Sequence, residues 1–150
     1  MTSDAPLNPD EERFWRALMH VMVALPKALD EDLLKVTGLT MSEYAVLVHL
    51  SEAAGREMRM TDLAAATALS VSRISRVADA MQTRGWVVKQ RDANDARGSV
   101  AKLTAEGRRR LQSAYPTNLA SARRRVIDHL DAAMLAGFAG QLETIAARLD

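Results

Sequence analysis

The chain contains no cysteine. Disulfide bonds, thiolate metal sites and thiol-based oxidant sensing are therefore excluded. No apolar run approaches the roughly 18 residues that a membrane span needs. The opening stretch "MTSDAPLNPDEE" is acidic and polar rather than basic then apolar, so no signal peptide is expected and a cytoplasmic location is the simplest reading. Repeats and low-complexity tracts are missing. The three histidines, His20, His49 and His129, lie far apart without metal-ligand spacing, so no metal is expected. No nucleophile–base pair, phosphate loop or metal motif stands out, and neither an enzyme nor a cofactor is expected.

What is present is ordinary in bulk. The chain has 150 residues, 48% hydrophobic and 26% charged, enough for one domain with a sizeable core. Its net charge of +1 conceals a split. Residues 56–110 hold twelve Lys/Arg and six Asp/Glu, a surplus of +6; the other eight basic and thirteen acidic residues give −5. A basic centre between acidic flanks suggests one face for a polyanion.

Apolar residues at helical spacing, Phe14, Leu18, Met22 and Leu25, with a second line of Trp15, Met19 and Val23, predict a helix over about 9–37. Pro9 and the following acids suit its start, and Pro26 is expected to kink it. "TMSE", Thr40 to Glu43, has the form of a capping box. The helix it opens turns Tyr44, Leu47 and Leu50 inward. "EMRM" could pair as a small strand. Next comes a short alanine-rich helix, "TDLAAATAL", then Ser70 as an N-cap for "VSRISRVADAMQTR", closed by Gly85.

That last helix divides cleanly by face. Val71, Ile74, Val77, Ala78 and Met81 form an apolar side. Ser72, Arg73, Ser75, Arg76 and Asp79 form the other. Small hydroxyls admit close approach to DNA, and an arginine either forks onto guanine or clamps a phosphate. Two short helices joined by a turn make a helix-turn-helix. A strand-like run, Trp86 to Gln90, then the polar loop "RDANDARGSV", then a second run, Val100 to Leu103, add a hairpin. A hairpin placed there makes a winged helix, with the loop as its wing tip. Arg91 and Arg97 supply its cations; Asp92 and Asp95 are expected to do local turn work, and Gly98 to let the chain turn back.

Thr104 can cap a further helix containing Gly107, with a stripe Leu111, Tyr115, Leu119, Ala122, Val126 and Leu130 that Pro116 is expected to bend or interrupt. Asp131 is expected to cap a last helix, in which Leu135, Phe138, Leu142, Ile145 and Leu149 step by three and four like a coiled-coil seam. The first and last helices offer more apolar face than one small winged helix covers, so a homodimer is expected.

The run Asp95-Ala-Arg97-Gly-Ser-Val-Ala-Lys-Leu103-Thr104, together with "LAAATALSVSRISRVADAMQTRGWV" and "LTAEGRRRL", resembles the MarR family of bacterial transcription regulators over about residues 10–148. The resemblance implies a mostly α fold with a small β wing. Residues of about 9–37 and 105–150 would be dimerisation helices, and about 40–104 the winged helix-turn-helix. It implies a homodimer whose two winged helices sit on successive major grooves of a near-palindromic double-stranded operator. Ser72, Arg73, Ser75 and Arg76 would lie on the recognition helix, Ser70 near a phosphate, and Arg97 in the minor groove. It further implies a repressor released by a small aromatic or phenolic anion, held between the dimer helices and the winged helix. Trp15, Met19, His20, Tyr44, Val48 and His49 are the candidate lining, although each taken singly reads as packing. The competing class is a winged helix used for protein–protein assembly, which predicts no salt-dependent DNA binding.

Overall fold

The computed structural model describes residues 5–95 and 97–149, so the first four residues, Ala96 of the wing motif and the final Asp150 lie outside it. Helix α1 (Pro9–Thr37) starts on a capping box: the Asn8 side chain accepts the N–H groups of Asp10 and Glu11, and Glu11 accepts the Asn8 N–H at 2.8 Å. It runs through Pro26 as one helix. Helix α2 (Met41–Glu52) starts on the box that "TMSE" predicts, with Thr40 Oγ1 accepting the Glu43 N–H and Glu43 accepting the Thr40 N–H. Asp30 of α1 also accepts the Met41 N–H at 2.7 Å, which holds the start of α2 against α1.

Strand β1 (Glu57–Arg59), helix α3 (Met60–Ala66), helix α4 (Val71–Thr83), strand β2 (Val87–Arg91) and strand β3 (Ser99–Leu103) follow. The three strands form an antiparallel sheet in the order β1-β3-β2, with Met58 opposite Ala101 and Lys89 opposite Ala101 on its other edge. Helix α5 (Ala105–Arg125), a 3-10 turn at Ile127–His129 and helix α6 (Leu135–Ala146) complete the chain. The core gathers Leu33 and Leu39, Tyr44, Leu47 and Leu50 of α2, Leu63 of α3, Ile74 and Met81 of α4, Val87 of β2, Leu103 of β3 and Ala114 of α5.

Two expectations are corrected at the C-terminal end. The buried line of α5 is Gly107, Ala114 and Ser121, seven residues apart, while Tyr115 and Leu119 are exposed. Small residues let α5 lie close against its neighbours, with Leu111 of the expected stripe packed half-buried against the core and Tyr115 and Leu119 left on the outer side. The helix also passes through Pro116 without ending there. Asp131, in turn, stands four residues ahead of α6: its carboxylate accepts the Ala133 N–H and its carbonyl the Met134 N–H, which closes a turn rather than capping the helix.

Asp32 joins α1 to α5. Its carboxylate takes a forked pair of bonds from Arg125 (3.0 Å each), one from the buried Ser121 hydroxyl (2.6 Å) and one from Arg124 (2.8 Å). These donors, Arg125 first, hold the Asp32 carboxyl well below the usual carboxylate range. At its other end α5 meets the wing root, where Thr104 Oγ1 caps α5 by accepting the Gly107 N–H.

Candidate nucleic-acid interface

Both ends of α4 are set by local chemistry. Ser70 Oγ accepts the Arg73 N–H at its start. At its end Gly85 takes the left-handed conformation (φ +75°) that a glycine adopts without strain. Its N–H donates to Gln82 and the Trp86 N–H donates to Met81, closing the helix with paired bonds. The turn from α3 into α4 is tight, with the Leu69 N–H donating to the Ala64 carbonyl and Ala68 at φ +52°. α3 has Arg59 at its N-cap with no side-chain cap bond.

Ile74, Ala78 and Met81 of α4 are fully buried and Val77 partly so. Val71, expected on that apolar side, is 52% exposed, because at the first helical position the helix projects past the elements that cover its later turns. On the outer side Ser72, Arg73, Arg76 and Asp79 are exposed. Ser75 is half-buried and accepts a bond from Lys89 Nζ (3.2 Å), which also pairs with Asp79 at 2.7 Å. The Lys89 N–H donates to Gln82 (2.6 Å), so β2 is docked along α4 and the wing leaves the domain beside that helix. Ser70 and Ser72 share a hydroxyl contact of 3.2 Å.

The wing is built on its aspartates. Asp92, expected to do only local turn work, is buried: its Oδ1 accepts the Asn94 N–H, its Oδ2 pairs with Arg59 Nε at 2.7 Å, and its N–H donates to the Gly98 carbonyl. Asp95 contacts Arg97 through the backbone, accepting the Arg97 N–H at 2.9 Å, and its carbonyl receives the Gly98 N–H. The Arg97 and Arg91 side chains are exposed.

This arrangement explains how a loop of balanced charge still presents a positive surface. Within the basic segment Arg59, Lys89, Lys102 and Arg109 pair with Asp92, Asp79, Glu57 and Glu106, and Arg84 pairs with Glu43. Among the described residues no ion-pair partner falls to Arg73, Arg76, Arg91 or Arg97. Four of the segment's six acids are thus paired within the framework, and arginines without an ion pair among the described residues stand on α4 (Arg73, Arg76) and the wing (Arg91, Arg97), as well as at Arg56, Arg108 and Arg110. Such a surface suits a phosphate backbone and the base edges between its strands.

Sequence reasoning missed three framework residues. Arg59 and Lys89 reach across from other elements, and no local spacing announces them. Trp86 marks the start of a strand in the sequence, and its ring also carries the guanidinium groups of Arg84 (4.9 Å) and Arg110 (5.4 Å) over it. Arg84 continues to the buried Glu43 at 3.1 Å, and Arg110 donates to the Thr37 carbonyl.

The six candidate ligand residues are not gathered into one cavity of the protomer. Tyr44 is buried; burial raises its pKa, and its side chain bonds Asn118. Val48 and His49 are half-buried on α2, and Trp15, Met19 and His20 are exposed on α1. A cavity of about 750 Å³ between α1, the start of α2 and α4 is lined instead by residues such as Pro26, Asp30, Met41, Arg73 and Arg76. Trp15 borders a separate space of about 510 Å³ with Pro6 and Leu7. Among the described residues no cluster of three or more metal-ligating side chains occurs, and no helix is long and apolar enough to cross a membrane.

Comparison with known proteins bears on the whole chain. A family model described as MarR family matches residues 37–98. The chain is similar to AbsC, a MarR family transcriptional regulator from Streptomyces coelicolor, at 37% identity, with 97% of each chain covered and a TM-score of 0.86. It is also similar to Sco3205 from the same organism, solved in complex with DNA, at 29% identity, 97% and 92% coverage and a TM-score of 0.89. Transcriptional repressor MprA of Escherichia coli (strain K12) is 26% identical over 101 residues, 67% of this chain. That match spans 57% of the repressor's length.

Proposed function

The chain belongs to the MarR family of transcriptional regulators, and from that membership we propose that it is a homodimeric repressor of a near-palindromic double-stranded operator, released by a small aromatic anion. The observation that carries the DNA reading is the set of unpaired arginines. Arg73 and Arg76 on α4, and Arg91 and Arg97 on the wing, have no acidic partner among the described residues, whereas Arg59, Arg84, Lys89, Lys102 and Arg109 do. Ser70 and Ser72 at the helix start add hydroxyls next to free backbone N–H groups, a favourable seat for a phosphate. Ser75 takes a supporting role through Lys89. On the wing, Asp95 and Gly98 hold the turn from which Arg97 reaches a minor groove, most favourably a narrow A·T-rich one.

The homodimer reading rests on apolar surface that one protomer leaves open. Phe14, Trp15 and Met22 of α1, and Leu142 and Ile145 of α6 with Leu149 just beyond it, are all more than a third exposed. A second copy supplies the matching face, because an isologous contact buries the same helices twice. In the ligand reading Trp15, Met19, His20, Tyr44, Val48 and His49 line a space that the partner completes. The Tyr44 phenol is protonated at neutral pH, as an ordinary tyrosine is, and in this reading donates to a carboxylate.

The test is a mobility-shift titration across salt concentrations, on genomic fragments selected by the protein and on random DNA. Binding that weakens steeply with salt and prefers the selected fragments is expected. Arg97→Ala should weaken it by roughly 1–3 kcal/mol. Salt-independent retention, or no binding, would refute the DNA reading and favour a protein–protein module. Addition of benzoate to the bound complex tests release by an aromatic anion.

A further inference from the structure

We propose that Arg59 and Asp92 form a brace that positions Arg97 at the wing tip, so that Arg59, remote from the tip in sequence, sets how well the wing meets DNA. This rests on the DNA-binding reading above and adds two positioning residues to it. Arg59 ends β1, pairs across the sheet with Val100 of β3 and stands at the N-cap of α3, the first helix of the helix-turn-helix. Its Nε meets Asp92 Oδ2 at 2.7 Å. The Asp92 side chain is 5% exposed and that of Arg59 52%. The contact is ionic rather than hydrogen-bonded: Oδ2 is buried without a hydrogen-bond partner among the described residues, so the Arg59 guanidinium offsets its charge.

From Asp92 the bonds lead outward through the loop. Its second oxygen accepts the Asn94 N–H, and its own N–H closes onto the Gly98 carbonyl. Gly98 donates in turn to the Asp95 carbonyl, and Asp95 accepts the Arg97 N–H. A side chain at Gly98 would press on the Asp92 Cβ at 3.2 Å, so the loop is packed directly on the braced residue. The Arg97 backbone is thereby referred through hydrogen bonds to Asp92, and from Asp92 through the ion pair with Arg59 to the start of α3. The brace also cancels the charge of Asp92, which otherwise would oppose Arg97 within the same loop. Neither Arg59 nor Asp92 needs to touch DNA for this role.

The experiment measures affinity of the full-length protein for its selected genomic fragment, together with thermal midpoints, for Asp92→Asn, Arg59→Gln, Arg59→Lys and Arg97→Ala and for the first three in the Arg97→Ala background. Asp92→Asn keeps the shape and the Asn94 bond but removes the charge. It is expected to weaken binding about three- to tenfold when Arg97 is present and to have no further effect once Arg97 is alanine. Arg59→Gln should match it, and Arg59→Lys, which keeps the cation, should recover most of the loss. Equal fold-losses with and without Arg97 would show that the pair serves stability alone and would overturn the proposal. So would wild-type binding that Arg97→Ala leaves unchanged, because the wing would then not reach DNA. Failure of the wild type to bind any fragment refutes the DNA reading itself, and the brace with it. If Asp92→Asn does not fold, Arg59→Gln, at a half-exposed side chain, decides by the same comparison.

Discussion

Gly107→Ala should be severely destabilising although it adds one methyl group to a helix. In an open helix this change stabilises by about 0.5–1 kcal/mol, since alanine is the better helix former. Here an added Cβ would be driven into the Trp86 carbonyl oxygen, and would stand 2.8 Å from Leu103 Cδ1 and 3.0 Å from the Trp86 carbonyl carbon. The obstructing atoms are largely backbone, so no side-chain rotation relieves the clash. The start of α5 has to lift away from the wing root. Overpacking of this kind typically costs about 1–3 kcal/mol. Lifting also strains the bonds at the joint: Thr104 N–H to the Trp86 carbonyl at 3.1 Å, and Thr104 Oγ1 to the Gly85 carbonyl at 2.6 Å. Losing them adds about 1–2 kcal/mol.

The net expectation is a loss of about 2–4 kcal/mol, read as a lower urea midpoint at unchanged slope and fixed protomer concentration. Ser113→Ala, on the exposed side of the same helix, is the reference and should stay within about 0.5 kcal/mol. Because the displaced joint also carries β2 and the end of α4, operator affinity should fall by more than the unfolded fraction accounts for. A Gly107→Ala protein as stable as the wild type would refute the close approach of α5 to Trp86 and the reasoning built on it.

Asp32→Asn should lower the melting temperature at neutral pH, because the depressed carboxyl pKa means that the folded state favours the charged form. That contribution is fully present above about pH 4, the unfolded value, and is lost as pH falls through the depressed folded value. The gap between wild type and variant in melting scans should therefore be constant from pH 7 to 5 and narrow below pH 4; a constant gap down to pH 2 would contradict the assignment. Arg76→Ala should cost about 1–3 kcal/mol on the selected fragment and less on random DNA, by filter binding at one salt concentration. Equal losses would assign Arg76 to a phosphate instead. Leu142→Glu places a charge in the apolar face of α6 and should weaken self-association by more than about 3 kcal/mol, seen as monomer in sedimentation equilibrium. A dimer of unchanged strength would place the interface elsewhere.

Elements with local punctuation were legible in the sequence. The capping box at Thr40, the Ser70 cap and Gly85 each sit where the chain changes direction, and the span 9–37 matches α1. The wing strands begin and end within about one residue of the predicted runs. The inward face of α5 was legible only at Leu111, because its buried line of Gly107, Ala114 and Ser121 is made of small residues that carry little hydrophobic signal. Asp131 misled because an aspartate before a helix serves a turn as readily as a cap. At the candidate site the residue types were visible, but their allegiance was not. Ser75 and Ser72 look alike in sequence, yet Ser75 is claimed by Lys89 fourteen residues later. Asp92 and Asp95 look alike too, and only Asp92 is buried against a distant arginine. Spacing predicts neighbours along one element; it does not predict which cation arrives from another.

Those long-range cations also determine what can move. The C-terminal end of α4 is tied to α2 through Arg84 and Glu43, and to α5 through the stacked Trp86 and Arg110. Arg110 in turn grips the last turn of α1 at the Thr37 carbonyl, and Asp32 binds α1 to α5 further along. Along its length α4 is pinned to β2 by Lys89. Sliding α4 within its own protomer would therefore break several charge-assisted bonds at once, each worth about 1.5–3 kcal/mol when well formed. In the proposed homodimer, tilting the whole winged helix together with α1 and α5 against the second protomer would break none of them. An effector that altered the spacing of the two α4 helices in that proposed homodimer would have its least costly route at the surfaces of α1 and α6 that the protomer leaves uncovered. It acts there only by binding one spacing more tightly than the other.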